Sequence, residues 1–185
     1  MRIFITGGAG FIGTHLCNKL LELNHEITVY DNFSNSLQEN FTSKIKQKVT
    51  LISADILDNS KLITSMKNHD VVIHLAAQIS VSESIKNPKL TFDVNVDGTQ
   101  NVLNACLKND ITKIIAASTA AVYQNTSTKI ILDETSPVEP LSPYGKSKMI
   151  MEQKIFNFSL KHNINSICLR FFNIYGNNQN ASYAG

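Results

Sequence analysis

A glycine-rich turn between a strand and a helix is the feature of this sequence that most restricts its fold. The apolar run Arg2 to Thr6 predicts a buried strand, and glycines at positions 7, 10 and 13 follow it at once. From Phe11 to Leu23, apolar residues recur at helical spacing. Glycine permits a tight turn and lets backbone approach a ligand closely, while the start of a helix presents free N–H groups and a partial positive charge. The pattern therefore predicts a phosphate-binding loop that includes Gly7, Gly10 and Gly13.

An acidic residue follows this loop at a distance that indicates which dinucleotide it binds. Asp31 ends the second predicted strand, which begins at Glu26, and lies 18 residues after Gly13. Its carboxylate can accept hydrogen bonds from the ribose hydroxyls of an adenosine and would repel a 2′-phosphate, so NAD is favoured over NADP. Asp55, after a third predicted strand at Val49 to Ser53, is placed to receive the adenine amino group, and is equally compatible with a helix cap or a turn.

The rest of the chain alternates between short β-rich runs and longer segments of helical period. The predicted helices are Asp58 to Lys67, Pro88 to about Leu107 and Pro143 to about His162, and the further strands are Val71 to Leu75, Lys113 to Ala117 and Ser166 to Arg170. Strands separated by helices predict an α/β fold with a doubly wound parallel sheet and helices on both faces. The polar stretches Asn32 to Lys48 and Gln124 to Leu141 follow strands, so we expect them beside the ligand crevice.

Tyr144 and Lys148 form the candidate catalytic pair. They lie four residues apart at the start of a predicted helix, and so on one helical face. A tyrosine is a poor base at neutral pH unless a nearby cation stabilises its phenolate, which Lys148 could do. Thr119, in the Ser118 to Tyr123 segment at the end of the fifth strand, offers a hydroxyl on the same side of the sheet. Each feature alone is equally typical of an ordinary helix surface or turn, but their convergence at the carboxyl ends of central strands favours catalysis.

The amino-acid composition limits the classes of partner that this chain is expected to bind. The chain has 185 residues with 17 Lys+Arg and 15 Asp+Glu, so its near-neutral charge gives no electrostatic signature of binding to nucleic acid or to an acidic membrane. No apolar run reaches the roughly 20 residues that span a bilayer, and no signal peptide is recognisable, so we predict a cytoplasmic protein. Three widely spaced cysteines predict core positions rather than disulfides or a metal site.

Eight segments together resemble one known family. They are Thr6 to Gly13, Asp31-Asn32, Asp55-Ile56, His74 to Ala77, Asn95 to Thr99, Ser118 to Tyr123, Tyr144 to Lys148 and Arg170 to Gly176. In this order they resemble the NAD-dependent sugar-nucleotide epimerase/dehydratase family of the extended short-chain dehydrogenases/reductases. The resemblance implies a Rossmann-type sheet, a bound NAD and a nucleotide-sugar substrate.

The resemblance also implies roles for individual residues. Tyr144 would take the proton of the sugar hydroxyl, Lys148 would hold the nicotinamide ribose and lower the phenol pKa, and Thr119 would bridge the tyrosine and the substrate. Asn173 would contact the substrate diphosphate. The remaining cofactor contacts implied are the glycine loop with Phe11 and Ile12, then Asp31, Asn32, Asp55, Ile56, Leu75, Ala76, Ala77, Asn95 and Phe172.

Two alanines distinguish between activities within the family. Dehydratases of the family carry an acid pair where this chain has Ala120 and Ala121. The resemblance therefore implies epimerisation at C4 of a UDP-hexose, of the UDP-glucose/UDP-galactose type, through a transient 4-keto sugar. The alternatives are another nucleotide-sugar enzyme, such as a decarboxylase or reductase, and an NAD-binding module without turnover.

Family members continue well beyond the segment at Arg170 to Gly176. We therefore expect residues 1–176 to form the NAD-binding domain with the catalytic residues, and residues 177–185 to begin a substrate-binding region that is largely absent. The helices around Asn95 to Leu107 and Ser147 to Phe158 resemble those of a family dimer interface, so a homodimer is one interpretation. Their apolar stripes are equally compatible with ordinary packing on the sheet.

Overall fold

A computed structural model describes residues 1–36, 45, 47–124, 131–177 and 179. Strands and helices alternate along the chain. The strands are β1 (Arg2–Thr6), β2 (Glu26–Asp31), β3 (Thr50–Ser53), β4 (Val71–His74), β5 (Lys113–Thr119) and β6 (Asn165–Phe171). The helices are α1 (Phe11–Glu22), α2 (Asn59–Ser65), α3 (Val81–Lys86), α4 (Pro88–Phe92), α5 (Gly98–Lys108) and α6 (Pro143–His162). A π turn, Asp93–Asp97, joins α4 to α5, and a 3₁₀ turn, Ala120–Val122, follows β5.

The six strands form one parallel sheet in the order β3-β2-β1-β4-β5-β6. The order reverses between β1 and β4, so the loops that leave these two strands diverge and open a crevice at their carboxyl ends. This arrangement confirms the predicted α/β fold with a Rossmann-type doubly wound sheet. It also places the glycine loop, which follows β1, directly beside the loop that follows β4.

Two apolar cores cover the two faces of the sheet. On β1, Phe4 packs into one core with residues of α2, α5 and α6, whereas Ile3 and Ile5 pack into the other with Cys17 of α1. The alternation follows from the period of two in a strand. Cys17 and Cys106 are buried and Cys168 is half-buried, all as free thiols, which confirms that cysteines occupy the core. Among the residues described, no helix is long and apolar enough to cross a membrane.

The long helix predicted from Pro88 to Leu107 is interrupted. The structure divides it into α4, the π turn and α5, and adds the short helix α3 before it. Ser80 and Asn87 cap α3 and α4 by accepting hydrogen bonds from the amides of Glu83 and Leu90. The six residues of α3 are too few for their periodicity to indicate a helix.

Parts of the predicted organisation lie outside the described residues. They are residues 37–44 and 46 of the first polar stretch, 125–130 of the second, and all of the segment 177–185 except Asn177 and Gln179. The division into a domain at 1–176 and the start of a second region therefore stays a prediction.

Candidate active site

A cleft of about 1140 Å³ opens at the carboxyl ends of the strands. Its lining includes every residue that the sequence assigned to a site except Asn95: Gly7, Gly10, Phe11, Ile12, Gly13, Asp31, Asn32, Asp55, Ile56, Leu75, Ala76, Ala77, Thr119, Tyr144, Lys148, Phe172 and Asn173. A cleft of this size, lined by both apolar and polar groups, is large enough for an extended ligand such as a dinucleotide.

The glycine loop is shaped by close backbone contacts. Gly7 has φ of 69°, and a Cβ on it would lie 2.5 Å from the amide nitrogen of Ala76 in the neighbouring loop. A Cβ on Gly13 would lie 2.6 Å from the backbone of Gly8. Only glycine fits at these two positions. Because there is no Cβ at Gly13, the start of α1 packs directly against the backbone of the glycine loop. Gly10 is the N-cap of α1 and offers no side-chain cap, so the first-turn amides are left for a ligand, and an anionic phosphate is the group that such a site accepts.

Asp31 ties the glycine loop to the loop after β2. Its Oδ2 accepts the amide of Ala9 at 2.9 Å, and its Oδ1 accepts the amide of Phe33 at 2.8 Å and the hydroxyl of Ser36 at 3.1 Å. The sequence predicts that this carboxylate accepts hydrogen bonds from ribose hydroxyls. The structure shows that it also accepts hydrogen bonds within the protein. A carboxylate has about four acceptor sites, so capacity for a ligand remains.

Asp55 makes the contact of a turn acid and also faces the cleft. Its Oδ1 accepts the amide of Leu57 at 2.8 Å, which is the contact of a turn acid, and its Oδ2 accepts from Asn32 Nδ2 at 2.8 Å. At the same time it lines the cleft together with Ile56.

The start of α6 places Tyr144 beside Thr119. Ser142 caps this helix by accepting the amide of Gly145 at 3.0 Å, with Pro143 at its first position. Any Cβ on Gly145 would overlap the carbonyl oxygen of Ala121, so glycine lets the helix pack directly on the 3₁₀ turn after β5. The Thr119 and Tyr144 side chains consequently line the same cleft.

Burial shifts the pKa values of both Tyr144 and Lys148. Burial raises the pKa of Tyr144, and the neighbouring Thr119 hydroxyl only partly offsets this. Lys148 is 3 % exposed, and burial lowers its pKa to about 8, against smaller opposing effects of Cys168 and Glu152. Its Nζ donates to the carbonyl oxygen of Ala117 at 2.9 Å.

Phe172 lies on the open side of the cleft. Its ring is stacked on Tyr123 with centroids 6.4 Å apart, and it remains 59 % exposed. The guanidinium of Arg170 lies over the other ring, 4.9 Å from the centroid of Tyr123, and forms a bidentate ion pair with Glu152. Asn173 is exposed at the same rim.

Asn95 does not line the cleft. It is 1 % exposed and lies behind the loop after β4, where its side chain bonds to Gln78 and Ser147. The structure also adds cleft residues that the sequence did not single out: Tyr30, Ser34, Asn35, Ser36, Gln78, Ile79, Glu83, Ile174 and Tyr175. Most of these belong to loops and strand ends without periodicity, and Glu83 belongs to the short helix α3, so only their position after strands could have indicated them.

Comparison with known proteins identifies what the chain is similar to. The family model described as "NAD dependent epimerase/dehydratase family" matches residues 3–184. A UDP-glucose 4-epimerase of Halalkalibacterium halodurans is 37 % identical over 182 residues, which are 97 % of this chain and 53 % of the relative. The chain spans about half the length of the curated relatives it matches.

Solved structures agree with this result. The UDP-glucose 4-epimerase of Thermus thermophilus in complex with NAD superposes with a TM-score of 0.91 at 34 % identity, covering 97 % of this chain and 58 % of that one. A dTDP-glucose 4,6-dehydratase of Streptomyces venezuelae superposes with a TM-score of 0.92 at 28 % identity, covering 98 % and 59 %. The fold is thus shared by epimerases and dehydratases, and the side chains of the site have to distinguish them.

Proposed function

The chain belongs to the NAD dependent epimerase/dehydratase family, and on that premise we propose that it binds NAD in the cleft and epimerises a UDP-hexose at C4. The observation that supports the proposal is that a candidate dinucleotide-binding loop and a candidate proton-transfer group lie in one cleft. The glycine loop at the start of α1 and the Thr119, Tyr144 and Lys148 side chains line the same cavity. A dinucleotide site and a proton-transfer site are what this reaction requires together.

The residues present fit NAD. The free first-turn amides of Phe11 and Ile12 would hold the pyrophosphate, Asp31 and Asn32 the adenosine ribose, and Asp55 the adenine. Lys148, with one donor bond to Ala117 O, has further N–H groups for the nicotinamide ribose. Leu75, Ala76, Ala77 and Phe172 would supply apolar contact for the nicotinamide. When bound, NAD supplies a reversible hydride acceptor at the sugar carbon.

The protein's own groups handle the proton. Tyr144 is a phenol at neutral pH because burial raises its pKa. It can act as a base only after its own proton has passed to solvent, and a nearby cation favours that ionisation. Lys148, one helical turn away, would provide the cation that stabilises the phenolate, and Thr119, which lines the same cleft, would hold the phenol oxygen in place. We propose that Tyr144 takes the proton of the C4 hydroxyl through Thr119 and returns it when the sugar is reduced on its other face.

Epimerisation is favoured over dehydration by the residues after Thr119. Ala120 and Ala121 begin the 3₁₀ turn beside Tyr144. Neither methyl can protonate or deprotonate a sugar, so elimination of water would lack its acid and base at this place. Asn173, an amide at the cleft rim, is the proposed contact for the substrate diphosphate.

A second candidate function is binding of NAD without turnover. The observation that favours it is the exposure of the sugar side, where Phe172, Asn173 and Tyr175 all face solvent. A bound hexose would then be held on few sides. The homodimer suggested by the helices also stays a prediction.

One experiment distinguishes the two candidate functions. The chain is incubated with NAD and UDP-galactose, and the nucleotide sugars are resolved by chromatography, with Tyr144→Phe as the matched control. We expect UDP-glucose without net NADH, and a rate at least about a hundredfold lower in the control. NAD binding by calorimetry without UDP-glucose would favour the second candidate, and net NADH would favour an oxidising relative.

A further inference from the structure

Five buried polar side-chain atoms among the described residues have no hydrogen-bond partner, and two of them line the cleft. These two are the hydroxyl oxygen of Ser118, at the end of β5, and the side-chain carbonyl oxygen of Gln78, in the loop after β4. A buried polar atom without a partner destabilises a folded chain, and nearly all such atoms in native proteins are paired. An unpaired polar atom in the wall of a cleft is therefore a candidate for contact with a ligand.

Ser118 is the better defined of these two groups. It is 4 % exposed, so its hydroxyl cannot reach bulk solvent by rotating about the Cα–Cβ bond. Gln78 is only half-buried, and its longer side chain can turn the amide toward water. A serine hydroxyl also both donates and accepts a hydrogen bond, whereas the Gln78 oxygen only accepts. Ser118 can therefore pair with a ligand hydroxyl in either direction.

The strand directs the Ser118 side chain toward α6. Buried residues alternate with more exposed ones along β5, and Ile114, Ala116 and Ser118 are the buried members. Ala116 packs into the same apolar core as Met151 of α6. Ser118 comes two residues later on the same face and lines the cleft. Its hydroxyl thus lies where this core meets the cleft.

The neighbours of Ser118 indicate which part of a ligand it meets. Lys148 Nζ donates to the carbonyl oxygen of Ala117, the residue immediately before Ser118, at 2.9 Å. Only a few covalent bonds separate that oxygen from Ser118 Oγ, so a group held by Lys148 lies within reach of the Ser118 hydroxyl. In the proposed function Lys148 holds the nicotinamide ribose. Because Ser118 faces the helix that carries Lys148, this ribose is the part of NAD nearest to it.

We propose that Ser118 is a cofactor-contacting residue, whose Oγ forms a hydrogen bond with a hydroxyl of the nicotinamide ribose. This inference rests on the proposed function, in which the cleft binds NAD. The contact gives a partner to a hydroxyl that the other described residues leave unpaired. The same hydroxyl therefore destabilises the chain in the absence of NAD and strengthens the binding of NAD, and the two effects can be measured separately.

Two buried serines offer a matched pair of variants. Ser159 of α6 also carries a buried hydroxyl without a partner among the described residues, but it does not line the cleft. Calorimetry measures the Kd for NAD, for ADP-ribose, which keeps the second ribose, and for ADP, which lacks it. Ser118→Ala should weaken binding of NAD and ADP-ribose about tenfold and leave the Kd for ADP within about a factor of two. Ser159→Ala should leave all three Kd values unchanged.

Thermal unfolding gives a second readout that does not depend on activity. Without ligand, removal of a buried unpaired hydroxyl should raise the midpoint of thermal unfolding by about 3 °C in each variant. With NAD in excess, this gain should disappear in Ser118→Ala, because the weaker binding stabilises that variant less, and should persist in Ser159→Ala. A lower midpoint for Ser118→Ala without ligand would contradict the proposal, since it would mean that the hydroxyl already has a partner within the protein.

The binding results distinguish the ways in which the proposal can fail. Equal weakening of NAD and ADP in Ser118→Ala would overturn it, because a contact with the second ribose cannot affect ADP. Weakening of NAD without weakening of ADP-ribose would place the contact on the nicotinamide ring and overturn the assignment to the ribose. If the unaltered chain binds no NAD, the proposed function and this inference both fail, whereas NAD binding that Ser118→Ala leaves intact overturns this inference alone.

Discussion

Replacing Lys148 by methionine should stabilise the protein while abolishing the proposed activity. Burial lowers the pKa of this ammonium from 10.5 to about 8, and each pKa unit corresponds to about 1.4 kcal/mol. Keeping the charge buried therefore destabilises the folded state by about 3 kcal/mol below pH 8. Methionine fills similar volume without charge, but the carbonyl of Ala117 loses its donor, which offsets about 1 kcal/mol. We expect a net gain of about 2 kcal/mol in the free energy of unfolding at pH 7.

The pH dependence makes this prediction specific. The pKa of Lys148 is lower in the folded than in the unfolded chain, so between pH 8 and 10.5 the unfolded chain binds more protons and the stability of the Lys148 protein rises with pH. The difference from Lys148→Met should shrink by about 2.5 kcal/mol between pH 7 and pH 10. Urea unfolding followed by circular dichroism measures it, with Lys161→Met, at an exposed site on the same helix, as the control. A constant difference across this range would refute a buried cation at Lys148.

Three further predictions concern the buried His74, the glycine loop and Asp31. Burial lowers the pKa of His74 to about 3 in the folded chain, so the free energy of unfolding should decrease as the pH falls below about 6.5. Urea unfolding should show that this free energy decreases less in His74→Gln, by about 1.4 kcal/mol per pH unit between pH 6 and 4. Gly13→Ala should lower the midpoint of thermal unfolding strongly because its Cβ would overlap the Gly8 backbone. In Gly10→Ala the nearest atom to the Cβ, the carbonyl oxygen of Gly7, lies 3.3 Å away, so this variant should stay folded and bind NAD more weakly. Equal midpoints for the two variants would contradict the close contact at Gly13. Asp31→Asn should reduce the preference for NAD over NADP, since the charge that repels a 2′-phosphate is removed; calorimetric titration with both dinucleotides checks this, and an unchanged preference would rule out that role.

The elements that sequence could predict are those with strong periodic or steric signals. The six strands and their parallel arrangement follow from short apolar runs separated by helical segments, and α6 matches its predicted bounds from Pro143 to His162. The glycine loop was predictable because Gly7 and Gly13 are required by contacts that no other residue permits. The cleft residues followed because parallel strands bring their carboxyl ends together.

Other features depend on contacts that a linear pattern does not contain. The π turn around Asn95 preserves the apolar spacing of a helix, so the sequence from Pro88 to Leu107 looks continuous. The carboxylate of Asp31 bonds to Ala9, which lies 22 residues earlier in the chain. The protonation of Tyr144 follows from burial, which only the packed fold determines.

The most direct test of the central claim follows the hydrogen at C4 of the sugar. The chain is incubated with NAD and UDP-galactose carrying deuterium at C4, and the product is analysed by mass spectrometry while NADH absorbance is recorded. Our account predicts UDP-glucose that retains the deuterium, with no net NADH, because hydride leaves and returns within one cleft in which Tyr144 holds the proton. Loss of the deuterium to solvent, or accumulation of NADH in step with product, would contradict it.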